Sequence, residues 1–539
     1  MDAVRQVFAN PSLRRLELGW LLALAADGAY LVALLVYAYQ MGGVLAVGAV
    51  TLLRSLPAGI LAPALSAIAD RLPRARVLLA VHVGRASMVA IAAFGAIADL
   101  APAIILAAVV AEGLLVGLHR ATTLSLMPAL ARSPEELVAG NAVMSMGEAL
   151  GGLAGPVTAG LLLILAGPGL GLIAASLAHG LAATAVLSIH VISLRLVAPA
   201  SPTGGLRTML GGVAALRRHP SAGVVIGLFA SQTLVRGSLT VLVVVAAVEL
   251  LGLGQSGVGY LTSSIGGGGV IGAVFAMSLV IGRPLSAPFA VSLALWGLPI
   301  AVLGILPYPV LAFVLLAAVG AANAALDVAG FTLLQRSVPN AVRGRVFGAL
   351  EGIAAIGVAA GAAMAPLLVE LFGLRAALIV TGAILPVVAV VTYPLLRRAD
   401  AAAVVPHREL ALLRGLPMFA PLPLTIIEQL AQSLVPVRYA TGERIIEQGE
   451  AGDCFYVIAV GAVDIIHDAR DMGTLRAGDG FGEIALLSDR PRTATVIAHE
   501  PMEGFRLPRE DFLEAVAGSP HSVSAAQGLM TQRLAELGH

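Results

Sequence analysis

The chain is 539 residues long, 58% hydrophobic and only 12% charged, with a formal net charge of +1 and a mean hydropathy of +0.93. No ordinary water-soluble domain carries so much apolar and so little charged residue, so a wholly soluble protein is excluded. The charge is uneven as well: residues 406–539 hold 11 Arg against 18 acids, net −7, while residues 1–405 hold 22 Arg against 14 acids, net +8.

A membrane body followed by an acidic soluble tail is therefore expected. Every basic residue is Arg and none is Lys, which hints at a GC-rich bacterial genome. Without Lys there is no Gly-x-x-x-x-Gly-Lys-Ser/Thr phosphate loop, so an ATP-driven pump of the usual kind is excluded. The single Cys454 rules out an intramolecular disulfide, as a reducing cytosol would allow. No metal site, nucleic-acid partner or enzymatic activity is expected. The first apolar run, near Leu16–Tyr39, has no small-residue cleavage site behind it and reads as a span rather than a signal peptide.

Apolar runs of helical length recur at about 17–39, 46–67, 76–98, 101–127, 138–166, 168–193, 221–251, 256–281, 286–306, 308–335, 346–371 and 374–396. These are spans 1 to 12. Arginines gather in alternate connections: Arg14 and Arg15 before span 1, Arg71, Arg74 and Arg76 between spans 2 and 3, Arg132, then Arg195, Arg207, Arg217 and Arg218. Arg283, Arg336, Arg343, Arg345, Arg397 and Arg398 continue the series, and the other connections lack Arg apart from Arg375. The positive-inside rule then places both termini, and the tail, in the cytoplasm. A multi-pass protein of the plasma (inner) membrane, in contact with its lipids, is expected. The longest connection, 195–220, divides the body into halves of about 1–194 and 221–397. Gly151-x-x-x-Gly155 in span 5 is matched by Gly357-x-x-x-Gly361 in span 11, which suggests parallel six-helix repeats around a midplane cavity.

At this point the body resembles the major facilitator superfamily. Ser66-x-x-x-Asp70-Arg71-x-Pro73-Arg74-x-Arg76 is similar to that family's loop motif between spans 2 and 3, with Ser66 and Pro73 in place of the usual glycines. Asp70, Arg71 and Arg74 are the expected conformational latch. Gly147-x-x-x-Gly151-x-x-x-Gly155-Pro156-x-x-Ala159-Gly160 resembles the antiporter motif of the family's exporters, and ordinary close packing is the alternative. Gly266–Gly269 in span 8 reads as packing only.

Charges at bilayer depth cost about 2.5–3.5 kcal/mol each and need a reason. Asp27, Arg54, Arg85, Glu112, Arg120, Glu148, Arg236, Asp327 and Glu351 fall inside spans. All but Arg85 are candidates for the substrate and proton pathway; Asp27 and Glu148, then Glu112, are the first choices for the carboxylate that loads a proton. His82, His119, His179 and His190 read either as proton relays or as packed or interfacial side chains.

Beyond a connector at 398–414, the segment 415–539 changes character. Leu422–Leu434 reads as a helix. Short alternating strands with glycine at the corners then describe a small β-roll, from Gly442 through Gly449, Gly452 and Gly461. In Phe481-Gly482-Glu483-Ile484-Ala485-Leu486-Leu487-Ser488-Asp489-Arg490-Pro491-Arg492-Thr493-Ala494-Thr495-Val496, a glycine-led turn offers backbone N–H groups and Arg492 follows Glu483 by nine residues. Such a pocket suits an anion attached to a diol. Arg509–Val516 and Val523–Leu537 read as closing helices.

The tail closely resembles the cyclic-nucleotide-binding domain family. The resemblance implies that Glu483 holds the ribose 2′-OH and Arg492 the cyclic phosphate, with the Gly482, Ile484 and Ala485 backbone beside it. Thr493 is the candidate for contact with guanine or phosphate. Leu529, Met530 and Arg533 are candidates for a lid. Cyclic AMP is favoured over cyclic GMP as the regulatory ligand.

The whole is expected to be a membrane all-α body of two six-helix repeats plus a small cytoplasmic β-roll. The expected function is a secondary, proton-coupled exporter of a small lipophilic molecule under cyclic-nucleotide control. The tail is a candidate homodimer contact. A non-transporting nucleotide sensor is the alternative; a gated channel lacks its pore loop and Arg-rich helix.

Overall fold

The computed structural model describes residues 7–69, 72–131, 134–187, 189, 216, 218–276, 284–338, 340–402, 407–422, 424–488, 490–517 and 520–536. The chain divides into two units, Met1–Ala131 with Ala139–Ala403 and Val404–His539 with Arg132–Val138.

Among the described residues, nine helices are long and apolar enough to cross a membrane. Pro11–Ala69, Pro134–Leu187 and Asn340–Ala402 are each broken once by non-helical backbone, at Gly42–Gly43, Ala166–Gly167 and Gly373. Each break falls between two predicted spans, so these three helices supply spans 1–2, 5–6 and 11–12, and the body is a twelve-helix fold. Arg74–Ile97, Pro102–Leu130, Gly254–Ala276, Ser286–Ile305 and Pro309–Ser337 are spans 3, 4, 8, 9 and 10. Span 7 is Pro220–Val245 continued by the π-helical turn Ala246–Leu250. Proline opens several of these helices, where its missing N–H costs nothing. Leu165, Val310 and Val390 are 74%, 79% and 75% exposed, a surface that lipid accepts and water does not.

Glycine sets the packing within each half. A Cβ on Gly155 of span 5 would run into the Ala25 carbonyl of span 1, and one on Gly361 of span 11 into the Leu234 carbonyl of span 7. The two glycine motifs thus perform the same close approach in corresponding helix pairs. Gly266 in span 8 meets the Gly152 carbonyl, 2.5 Å from where its Cβ would be, so it too is a packing residue. Tyr39 at the end of span 1 donates to Glu249 at the end of span 7, and the adjacent Gln40 Nε2 lies 2.9 Å from Oε1 of Gln255 at the start of span 8.

Two boundaries differ from the sequence expectation. The last membrane helix continues past Leu396 to Ala402, because Arg397–Ala402 contains only residues a helix tolerates. Residues 407–414, expected in the connector, belong to helix α1 (His407–Gly415), whose Leu413 is fully buried in the core of the second unit.

That unit continues with α2 (Leu424–Ser433), then β1 (Val435–Tyr439), β2 (Arg444–Ile446), β3 (Cys454–Val460), β4 (Ala462–His467), β5 (Arg470–Arg476), β6 (Gly480–Phe481), α3 (Glu483–Ser488), β7 (Thr495–Ala498), β8 (Met502–Pro508), α4 (Arg509–Ala517) and α5 (Pro520–Glu536). The strands form two antiparallel sheets, ordered β1-β8-β3-β6 and β2-β7-β4-β5. Strand β3 is buried on both faces. Phe455 and Val457 join the helix-side core, where Phe455 and Phe512 stack at 4.9 Å. Cys454, Tyr456 and Ile458 join the core between the sheets, where Tyr456 stacks on Phe481 at 5.1 Å. At the β3–β4 corner, Gly461 has φ +93° and no room for a Cβ beside Pro501, as the glycine-cornered pattern predicts.

Candidate functional site

Strand β6 ends at Phe481, and the chain must reverse at once into the short helix α3. Gly482 makes that reversal at φ +92°, a conformation closed to most side chains. A concavity of about 270 Å³ lies against this turn. Gly482, Glu483, Ile484 and Ala485 form one wall, Arg492 and Thr493 a second, and Ile465, Met472 and Leu475 from β4 and β5 an apolar third.

Arg492 is 5% exposed and heavily constrained. Its amide donates to the Glu450 carbonyl at 2.7 Å, and its own carbonyl accepts from Gly449 at 2.9 Å. Nη1 donates to the Gly482 carbonyl at 2.9 Å; Nη2 donates to Asp453 Oδ1 at 3.0 Å and to the Cys454 carbonyl at 2.8 Å. A guanidinium has five N–H groups, so these three bonds fix its plane while leaving donor capacity at the pocket wall.

Glu483 is 1% exposed. Its Oε1 accepts from Arg533 Nη1 of α5 at 2.8 Å, and the same nitrogen reaches the Gly480 carbonyl at 2.8 Å. Its Oε2 is buried and has no hydrogen-bond partner among the described residues. A buried carboxylate oxygen left unpaired costs about 1–3 kcal/mol or more, so it is a ready acceptor for a hydroxyl. Thr493 lines the pocket, and its carbonyl accepts from His467 Nδ1 at 2.7 Å. Beneath the site, burial pushes the Cys454 thiol up, and the Asp453 carboxylate adds to that.

The structure thus brings Gly482, Glu483, Ile484, Ala485, Arg492, Thr493 and Arg533 to one cavity. Of the three lid candidates only Arg533 lines it; Leu529 packs instead against the helix-side core. Sequence reasoning missed Asp453 and the Cys454 carbonyl, which orient Arg492 from 38–39 residues away. It also missed the apolar wall, whose residues look like ordinary strand positions.

The membrane body holds a larger cavity of about 800 Å³, lined from both halves. Arg120, Glu148, Arg236, Asp327 and Glu351 line it, and Arg120 Nη1 pairs with Glu148 Oε1 at 2.8 Å. Asn323, missed in the sequence, is a hub. Its Oδ1 accepts from Trp296 Nε1 at 3.0 Å and Gln232 Nε2 at 3.2 Å, while its Nδ2 donates to Asp327 Oδ2 at 2.8 Å. Asp27, Arg54 and Glu112 lie elsewhere, in an ion cluster around Arg85 in which Arg85 and Glu112 are fully buried. Arg54 Nε meets Glu112 Oε2 at 2.8 Å, and Arg85 pairs with Glu112 Oε1 at 2.6 Å and with Asp27. Of the latch residues, Arg74 Nη1 donates to the Ser125 carbonyl at 3.1 Å; Asp70 and Arg71 lie outside the described residues.

A family model described as "Cyclic nucleotide-binding domain" matches residues 436–519, and one described as "Major Facilitator Superfamily" matches residues 228–441. Among curated proteins, the chain is 39% identical over 90 residues to a cAMP-dependent protein kinase regulatory subunit of Yarrowia lipolytica. That match covers 17% of this chain and 24% of the relative, so the chain spans about a quarter of that relative's length. Among solved structures, "cAMP bound PfPKA-R (141-441)" is similar at 25% identity over 26% of this chain and 52% of that one, with a TM-score of 0.24. "Sp-2Cl-cAMPS bound to PKAR CBD2" is similar at 27% identity over 25% and 92%, with a TM-score of 0.23.

Proposed function

We propose that this chain, a Major Facilitator Superfamily body continued by a C-terminal cyclic nucleotide-binding domain, is a proton-coupled exporter whose transport cycle is set by cyclic AMP. The observation that carries the nucleotide part is Glu483 Oε2, a buried acceptor without a partner, facing the same cavity as the immobilised Arg492. The acceptor fits a ribose hydroxyl. The guanidinium, with the first-turn amides of α3, fits a cyclic phosphate. The apolar wall fits the base, and Thr493 is placed to contact the phosphate or a guanine.

Transport follows from the body. A cavity shared by both halves and lined with mixed charges suits alternating access to a small amphiphilic cargo. Glu148 and Asp327 are the cavity carboxylates best placed to exchange a proton for cargo. On this reading both termini and the nucleotide pocket are cytoplasmic in the plasma membrane, and the nucleotide acts only through its different affinities for the states of the cycle.

The test uses the full chain in proteoliposomes loaded with a lipophilic fluorescent dye. Dye movement should require an imposed pH gradient and change rate when cyclic AMP is added. An unchanged rate with the nucleotide demonstrably bound would remove the control reading; movement without any gradient dependence would remove proton coupling.

A further inference from the structure

The apolar wall of the nucleotide pocket comes from the β4–β5 hairpin, and the tip of that hairpin is strained. Its two-residue turn, between the paired His467 and Arg470, consists of Asp468 and Ala469 at φ +48° and +65°. Turns of this kind favour Asn-Gly, because left-handed backbone opposes a Cβ. Such strain persists where neighbouring groups fix the backbone.

Gln448, between β2 and β3, fixes this one. Its Oε1 accepts from the Asp468 amide at 3.1 Å, and its Nε2 donates to Asp468 Oδ1 at 2.9 Å. Its own amide donates to Thr495 Oγ1 at 3.1 Å, and Thr495 opens β7 two residues beyond Thr493. One side chain thus ties the hairpin tip to the segment that carries Arg492 and Thr493.

His467, the last residue of β4, makes a second tie at the pocket itself. Strand alternation puts it on the same face as Ile465, which lines the cavity. Its Nδ1 lies 2.7 Å from the Thr493 carbonyl. A carbonyl only accepts, so Nδ1 carries the hydrogen and donates it. The other ring nitrogen, Nε2, stands 3.5 Å from Asp468 Oδ2.

The effect falls on Thr493. The Arg492 carbonyl accepts from Gly449 and the next carbonyl accepts from His467, so consecutive peptide units are held from two different segments. Of the other polar side chains at the pocket, Arg492 is held by three bonds, Arg533 is paired with Glu483, and Thr474 donates to Asp464. Thr493 adds a hydroxyl on a β-branched side chain with restricted χ1, so its backbone position decides where that hydroxyl stands.

We propose that His467 is a positioning residue of the nucleotide site. Through the Thr493 carbonyl it aims the Thr493 hydroxyl at the bound cyclic nucleotide and couples the hairpin wall to the Arg492 segment. This rests on the reading of the pocket as a cyclic-nucleotide site.

Isothermal titration of the full-length protein with cyclic AMP tests it, using two substitutions that move one donor. The side-chain amide nitrogen of Asn occupies the place of Nδ1, and that of Gln the place of Nε2. His467→Gln should weaken affinity about three- to tenfold, the scale of one hydrogen bond. His467→Asn should stay within about twofold of the parent. In a Thr493→Ala background, adding His467→Gln should change affinity by less than about twofold, because the hydroxyl it aims is gone. If His467→Gln does not fold, His467→Ala takes its place. Equal losses for Gln and Asn, no loss for either, or an undiminished loss in the Thr493→Ala background overturns the role of His467 and leaves the nucleotide site standing. A parent protein that binds no cyclic nucleotide removes the site, and this proposal with it.

Discussion

A Cβ on Gly482 would stand 2.6 Å from Nη1 of Arg492. The glycine therefore serves twice, supplying a φ of +92° and leaving the guanidinium room to reach the Gly482 carbonyl. Gly482→Ala should impose backbone strain of about 1–3 kcal/mol and push Arg492 off its seat. Isothermal titration of the full-length protein with cyclic AMP should show affinity reduced at least about tenfold, since about 1.4 kcal/mol is one decade. Unchanged affinity would mean that the seat of Arg492 does not matter to binding.

Glu483 makes a sharper prediction, because a change in the ligand can stand in for a change in the protein. A hydrogen bond to a charged group contributes about 1.5–3 kcal/mol. The parent protein should therefore prefer cyclic AMP over its 2′-deoxy analogue by roughly tenfold or more, and Glu483→Gln should shrink that preference. Competition binding with the two nucleotides reads it directly. If the preference survives the substitution intact, Glu483 is not the hydroxyl acceptor.

On the second sheet, Asp464 accepts from the Thr474 hydroxyl at 2.7 Å and lies 2.8 Å from His499 Nδ1. The Thr474 bond, and then His499, hold the Asp464 carboxyl below its usual range against the opposing effect of burial. Asp464 in turn raises the His499 imidazole. The histidine's contribution is full below its unfolded value, about 6.5, and disappears as pH climbs through the raised folded value; the aspartate's holds above about 3.9 and disappears on acidification. His499→Gln should thus lower the melting temperature of the tail near pH 5.5 and leave it unchanged near pH 8.5. Equal effects at both values would show that the charged pair contributes nothing.

Arg85 is fully buried between Asp27 and Glu112. Removing one partner of a buried ion pair leaves uncompensated charge, typically at a cost of about 3–5 kcal/mol. Arg85→Gln should produce a large fall in thermal stability in detergent. Arg120→Gln, at a pair whose side chains are 59% and 42% exposed, should cost far less. Comparable melting shifts for the two would contradict the burial contrast.

Much of this was legible beforehand because its causes are local or periodic. Membrane spans are contiguous apolar runs, and the breaks at Gly42–Gly43, Ala166–Gly167 and Gly373 fall between the runs. That Gly482, Glu483 and Arg492 share a cavity was legible because they lie within one turn-and-loop. What could not be read were contacts between remote segments. Asp453 beneath Arg492, Asn323 beside Asp327, and Arg85 between two acids depend on packing that no local spacing encodes. The charged residues inside the spans looked alike in sequence, and only folding sorts them into cavity lining and an ion cluster around Arg85.

The Tyr39–Glu249 and Gln40–Gln255 ties join the end of span 1 to the end of span 7 and the start of span 8, across the two halves. Two side-chain hydrogen bonds, at about 0.5–1.5 kcal/mol net apiece, make a clasp that ambient jostling can undo. In the proposed exporter, a mouth fastened so lightly would add little to the stability of either orientation. On that reading, a messenger preferring one orientation by a decade, about 1.4 kcal/mol, would match the clasp in size.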